Sequence, residues 1–173
     1  MRLLNLAIGL FLTLSLQAQG LQVLDRVKDF RTAFHYTYYL SRNGEDFSRV
    51  TEGDVTVEDN AYILEGLGLT VTSDGKTRLS IDPQAHEAVL ESINSEDLFT
   101  NPALFIQAWR RYQDRIKLNS SGRDSIDITL TLDDDALARF VVTGIVFSPK
   151  QGLSDFNTDA SSLGSEYIVT DLR

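Results

Sequence analysis

Leu67-Gly68-Leu69-Thr70-Val71-Thr72-Ser73-Asp74-Gly75-Lys76-Thr77-Arg78-Leu79-Ser80-Ile81 carries two short apolar alternations joined by a polar turn, the pattern of a β-hairpin. Leu67, Leu69 and Val71 alternate with Gly68, Thr70 and Thr72, a period of two that places apolar side chains on one face of a strand. Asp74-Gly75 supplies residues that tolerate the positive φ of a tight hairpin, and Leu79 and Ile81 resume the alternation on the return strand. The expectation is one oily sheet face shared by all five. Further along, Asn101 is a good helix cap and Pro102 suits a first helical position, where its missing N–H costs nothing. Phe105, Ala108, Trp109 and Tyr112 then recur at i, i+3, i+4 and i+7, which predicts a helix with one apolar stripe to bury.

Outward from this hairpin the period keeps changing between 3.6 and 2. Leu24, Val27 and Phe30 are spaced for a short amphipathic helix ending near Arg31. Phe34, Tyr36, Tyr38 and Leu40 alternate with His35, Thr37, Tyr39 and Ser41 as in a half-buried strand, and Asn43-Gly44 closes it. Strands are expected over 47–57 and 61–65, separated by the acidic turn Glu58-Asp59-Asn60. Asp82-Pro83 breaks the central hairpin, and 86–93 forms a further strand. Ile126, Ile128, Leu130 and Leu132 alternate with polar residues, Asp133-Asp134-Asp135 turns the chain, and 137–147 returns. Residues 148–165 form the least regular segment. Hairpin-length connections predict an α+β fold, a curved antiparallel sheet covered by helices on its concave side, and rule against parallel strands.

Residues 1–20 are set apart by composition. Arg2 precedes an almost unbroken apolar run from Leu3 to Leu14, too short for a membrane span and right for a cleaved export signal, with Ala18-Gln19-Gly20 at the cleavage site. Removing twenty of 173 residues leaves 153, a single domain over 21–173. There is no cysteine, which excludes disulfides, thiolate metal sites and a lipidated N-terminal Cys. Loss of Arg2 takes the formal charge from −9 to −10. With scattered basic residues, such a chain makes a poor partner for nucleic acid or an anionic membrane.

Catalytic chemistry is sparse. His35 and His86 lie in strand alternations with no nucleophile motif beside them. Ser73 in Ser-Asp-Gly is hairpin punctuation, and Gly66-x-Gly68 is read inside a strand, so neither is a nucleophile elbow or phosphate loop. Asp155, Asn157, Asp159 and Glu166 fall at positions one, three, five and twelve of a calcium-loop spacing. Ala160 occupies the sixth position, where the sharp turn needs glycine, so a polar loop is expected there and no metal. No catalytic residue and no cofactor are assigned.

Several motifs in order carry a resemblance. They are the leader, the short first helix, Phe30-Arg31-Thr32-Ala33-Phe34 entering a strand, and Glu52-Gly53-Asp54-Val55. Tyr62, Thr72-Ser73-Asp74-Gly75-Lys76-Thr77, Asp82-Pro83, Asn101-Pro102 and Val169-Thr170-Asp171-Leu172-Arg173 follow. Together they resemble the periplasmic outer-membrane lipoprotein carriers, the LolA-like family. Two places depart from that pattern: Glu58-Asp59-Asn60-Ala61 stands where the family has an Arg-Pro-rich turn, and Arg78-Leu79-Ser80-Ile81 replaces its aromatics.

The resemblance implies an incomplete barrel and a periplasmic, non-enzymatic, monomeric carrier or chaperone. Its partners would be acylated lipoproteins or other amphiphiles, with membrane donor and acceptor proteins. The lipid groove would be drawn from Tyr62, Leu64, Leu67, Leu69, Val71, Leu79 and Ile81, and the covering helix from Phe105, Trp109 and Tyr112. The competing expectation is an adaptor of the same fold with a filled core, which meets a protein partner at a sheet edge.

Overall fold

A computed structural model describes residues 21–94, 101–133 and 135–173. The expected leader at 1–20 lies outside the described residues. A short helix α1 (21–26) leads through a turn into β1 (Arg31–Arg42). Then follow β2 (Ser48–Glu58), β3 (Ala61–Gly66), β4 (Leu69–Ser73), β5 (Thr77–Asp82) and β6 (Glu87–Ser92). Helix α2 (Pro102–Ala108) runs directly into a 3-10 helix, Trp109–Arg115. The chain continues as β7 (Ile116–Ser121), β8 (Ile126–Asp133), β9 (Ala136–Ser148) and β10 (Ile168–Asp171).

The ten strands of the described residues form one sheet in the order β10-β6-β5-β4-β3-β2-β1-β9-β8-β7. Neighbours are antiparallel except β10, which lies parallel to β6. The architecture is α+β with a mixed, unclosed sheet, so the expectation of purely antiparallel strands is corrected. The parallel pairing needs a long crossover, and the segment after β9 provides it. That segment crosses the sheet face opposite the helices. The carboxylate of Glu58, buried at the end of β2 instead of lying in the expected acidic turn, accepts the backbone N–H groups of Gln151 (3.2 Å) and Gly152 (2.8 Å). Arg31 pairs with Asp155 at 2.9 Å and lies over the buried Phe156 ring. Beyond them, Ala160, Leu163 and Tyr167 pack on Leu79, Ala88 and Leu90 before β10 begins.

The central hairpin corrects the expected register. Ser73 pairs with Arg78, Thr72 with Leu79 and Val71 with Ser80. Paired residues point to the same side, so Val71 and Leu79 face opposite sides. The cause is the turn. The Asp74 carboxylate accepts the N–H groups of both Lys76 and Thr77 at 2.8 Å, and the Asp74 N–H donates to the Thr77 carbonyl. This side-chain-closed turn places four residues, Asp74 to Thr77, between the last paired residues, whereas a shared face for Val71 and Leu79 requires an odd number. A second correction concerns Leu67. It is no strand residue: Leu67 and Gly68 form the two-residue turn between β3 and β4, with φ of 54° and 76°. That geometry normally selects Asn-Gly, so a leucine there is strained.

Candidate functional site

Two clusters of side chains fill the space between the helices and the sheet. Val55 and Val57 from β2 and Tyr62 from β3 pack with Val27 after α1 and with Ala103 and Ile106 of α2. Leu21 and Leu24 of α1 pack with Trp109 and with Ile126 and Ile128 of β8. Phe105 touches both clusters, and Tyr38, Phe140 and Phe105 stack in series with centroid separations of 4.9 and 5.9 Å.

The clusters do not close completely. Between them lies a cavity of about 110 Å³. Its roof is Val23, Leu24 and Val27 from the first helical segment, with Pro102, Phe105 and Ile106 from α2. Its floor is Phe34 and Tyr36 of β1, Val55, Leu64, Ile126 and Ile128. Phe140, Val142 and Ile145 of β9 form one wall, and Thr32 and Tyr36 carry the only side-chain polar atoms of the lining. Val142 and Ile145 are three residues apart and reach the same cavity because β9 bulges opposite β1, with Gly144 at φ 64°. Without that extra residue the alternation would send Ile145 to the other face. Burial raises the pKa of Tyr36 despite an opposing hydrogen bond with Thr51, so its phenol stays neutral at ordinary pH. The lining carries no charge.

One polar cluster ties the two roof pieces together. The Trp109 indole N–H donates to Asp25 Oδ1 at 3.3 Å, and the Arg110 guanidinium donates to both oxygens of the same carboxylate at 3.2 and 2.5 Å. Arg110 also lies over the Trp109 ring. Trp109 is therefore buried against β8 on one side and fastened to α1 on the other.

The residues singled out from the sequence divide. Leu64 and Phe105 line the cavity, and Tyr62, Val71 and Trp109 belong to the clusters around it. Leu69 shares the face of Val71 but is not part of the lining, and Tyr112 is half-buried on the 3-10 helix outside it. Leu67 is 73% exposed at a hairpin tip, and Leu79 and Ile81 face the opposite side, packed by the crossover segment. These three are removed from the groove, Leu67 by its turn conformation and the other two by the register of β5.

The lining not assigned from the sequence comes mostly from α1, β1, β8 and β9, with Val55 of β2 and Pro102 and Ile106 of α2. Their alternations were visible in Phe34, Tyr36, Ile126 and Ile128. Their convergence depends on the pairing of β1 with β9, across about a hundred residues of chain, for which no local signal exists.

Residues at the calcium spacing are engaged elsewhere. Asp155 pairs with Arg31, Asn157 Oδ1 accepts the Asp159 N–H, and Asp159 caps the turn at Ser161. Among the described residues no group of three or more His, Cys, Asp or Glu is placed to hold a metal. His35 contacts Asp54 at an exposed position, 3.1 Å away, and His86 sits in a turn against Tyr167.

Comparison of the chain with family models and with curated proteins finds no match to either.

Proposed function

We propose that this chain is an exported, non-enzymatic carrier that shields an acyl chain between its sheet and its helices, in the manner of the periplasmic lipoprotein carriers it resembles. The concave face of such an incomplete barrel would be the face that carries Val55, Tyr62, Leu64 and Val71. The observation that carries this reading is the cavity: continuous, uncharged, lined almost wholly by apolar side chains, and roofed by two short helical segments instead of by strands.

The physical requirement is simple. Each buried methylene is worth about 0.8 kcal/mol, so a long acyl chain crosses an aqueous compartment only when covered. A carrier must also release it. An apolar cavity of about 150 Å³ is known to take a benzene-sized group without rearrangement, and 110 Å³ is in the same range. The closed molecule therefore has room for a chain end, and a full chain enters by displacing the roof. Phe105 and Trp109 then act as internal competitors that occupy the groove when cargo leaves. The Asp25, Trp109 and Arg110 cluster is the polar contact that must open with it.

The modest volume favours a second reading, an adaptor whose nearly filled core has no ligand. A titration separates the two. Trp109 is the single tryptophan of the chain, and its indole both packs under the roof and bonds to Asp25. An acylated peptide added to the folded protein shifts and quenches Trp109 emission if the groove opens, while the same peptide without its acyl chain leaves it unchanged. An unchanged spectrum with both peptides supports the adaptor.

A further inference from the structure

The two edges of the sheet are finished differently. β7 ends one side with exposed polar residues, Lys117, Asn119, Ser120 and Ser121, and a register irregularity between Leu118 and Ser120. A lysine and a bulge are the usual devices that stop an edge strand from pairing with another chain. β10, on the other side, has neither. Ile168 and Leu172 are 67% and 63% exposed, and Val169 is exposed as well.

The hydrogen bonding of β10 shows which groups are available. Ile168 N–H donates to the His86 carbonyl at 2.9 Å and Leu172 N–H to the Leu90 carbonyl at 2.8 Å. In a parallel ladder the alternate residues 168, 170 and 172 thus spend their backbone groups on β6. Val169 and Asp171 direct theirs away from the sheet.

We propose that β10 is a self-pairing edge through which two copies of this chain join antiparallel, about a two-fold axis at Thr170. The strand's own residue pattern is complementary to itself about that axis. With Thr170 opposite Thr170 of the second copy, Ile168 falls opposite Leu172, and Val169 opposite Asp171. The outward N–H and C=O groups of Val169 and Asp171 then meet as the closely bonded pairs of an antiparallel ladder, four hydrogen bonds in all across the axis.

Side chains agree with this register. Ile168, Thr170 and Leu172 share a face with Glu87 and Val89 of β6, so the two exposed aliphatic residues meet each other twice. Thr170 meets a second threonine, a favourable cross-strand pair. Arg173 already neutralises Asp171 at 2.6 Å, so the axis is not crowded with uncompensated carboxylates despite the acidic chain. Five residues a side fall well short of the roughly 20–30 of a standard interface, so the dimer is weak and reversible. Self-pairing at β10 is independent of the cavity and of what the cavity holds.

The absence of cysteine from the chain makes a clean test available. Thr170→Cys places one thiol on the axis, where opposed Cα atoms lie about 4.5 Å apart in a non-hydrogen-bonded pair, within disulfide reach. Under mild oxidation the variant cross-links rapidly to a dimer on non-reducing gels, and Leu67→Cys, also exposed but at a hairpin tip three strands away, does not. In sedimentation velocity, Thr170→Lys and Thr170→Asp are each monomeric, because each charge faces itself, and their equimolar mixture associates. Circular dichroism confirms that both variants are folded. Equal cross-linking of the two cysteine variants, wild-type protein that stays monomeric over the whole concentration range, or undiminished self-association of Thr170→Lys would each overturn the proposal.

Discussion

Phe105→Ala separates a roof that competes with cargo from a roof that merely completes a core. Phe105 is half-buried, lines the cavity, touches both packing clusters and stacks on Phe140 with ring centres 5.9 Å apart. Truncating a fully buried phenylalanine costs about 3–5 kcal/mol, and partial exposure brings the expected loss to about 2–3 kcal/mol. At about 2–4 °C per kcal/mol for a domain of this size, Tm should fall by roughly 4–12 °C. A domain stable by about 5–15 kcal/mol stays folded.

The same deletion enlarges the cavity. If the vacated ring volume admits about three further methylenes at about 0.8 kcal/mol each, affinity for an acylated peptide rises by about 2 kcal/mol, or about thirtyfold. Stability is read by thermal and denaturant unfolding, and affinity by calorimetry, which does not depend on Trp109. A variant that is less stable and binds acyl chains more tightly has lost an internal competitor. A variant that loses stability and binding together, or binds no better than wild type, refutes the idea that the helix competes for the groove.

The remaining predictions test the geometry around the site. Leu79→Ala removes a buried side chain from the face opposite the helices, so it should cost about 2–5 kcal/mol in unfolding experiments and leave acyl-peptide affinity unchanged. Reduced affinity in the folded variant would mean that Leu79 reaches the groove after all. Leu67→Asn relieves a leucine held at φ 54° in an exposed turn, and thermal melting should show stabilisation of about 1 kcal/mol; a lower Tm would contradict the turn assignment.

Acid unfolding tests Asp74. Burial acts to raise its pKa, but the N–H groups of Thr77 and Lys76 and the Thr158 hydroxyl outweigh it and hold the carboxyl below its ordinary value. A depressed folded pKa contributes stability that is present above the unfolded value and lost as pH falls through the folded one. The stability gap between wild type and Asp74→Asn should be constant above about pH 5 and close towards pH 3; a gap that widens in acid has the wrong sign. Calorimetry with calcium should give no stoichiometric heat, because Asp155, Asn157 and Asp159 are committed to other partners. A signal abolished by Glu166→Gln would show that the segment reorganises around the ion.

What was legible in the chain was what is local. Alternation located most of the strands to within a few residues, and Asn101-Pro102 marked the start of α2, because strand period and helix capping are properties of neighbouring residues. The register of β4 against β5 was not legible. It turns on whether Asp74 closes the turn with its side chain, a choice of one residue that moves Leu79 and Ile81 to the other face.

β7 escaped because Ile116, Leu118 and Ser120 form a weak alternation directly after a helix. β10 escaped because a parallel edge strand carries no hairpin partner in sequence. The cavity was visible only at its margin. Leu64, Phe105 and the neighbouring Tyr62 and Val71 were found on the hairpin side. Phe34, Phe140, Val142 and Ile145 enter only through the long-range pairing of β1 with β9 and the bulge at Gly144.

Native mass spectrometry of the protein as purified from cells, without detergent, shows whether the cavity carries an acyl chain. A carrier shows a bound fraction heavier by the mass of an acyl-bearing molecule, lost on delipidation and restored by an acylated peptide but not by its unacylated counterpart. A single apo mass in every preparation, with no adduct after addition of the acylated peptide to folded protein, would contradict the carrier reading.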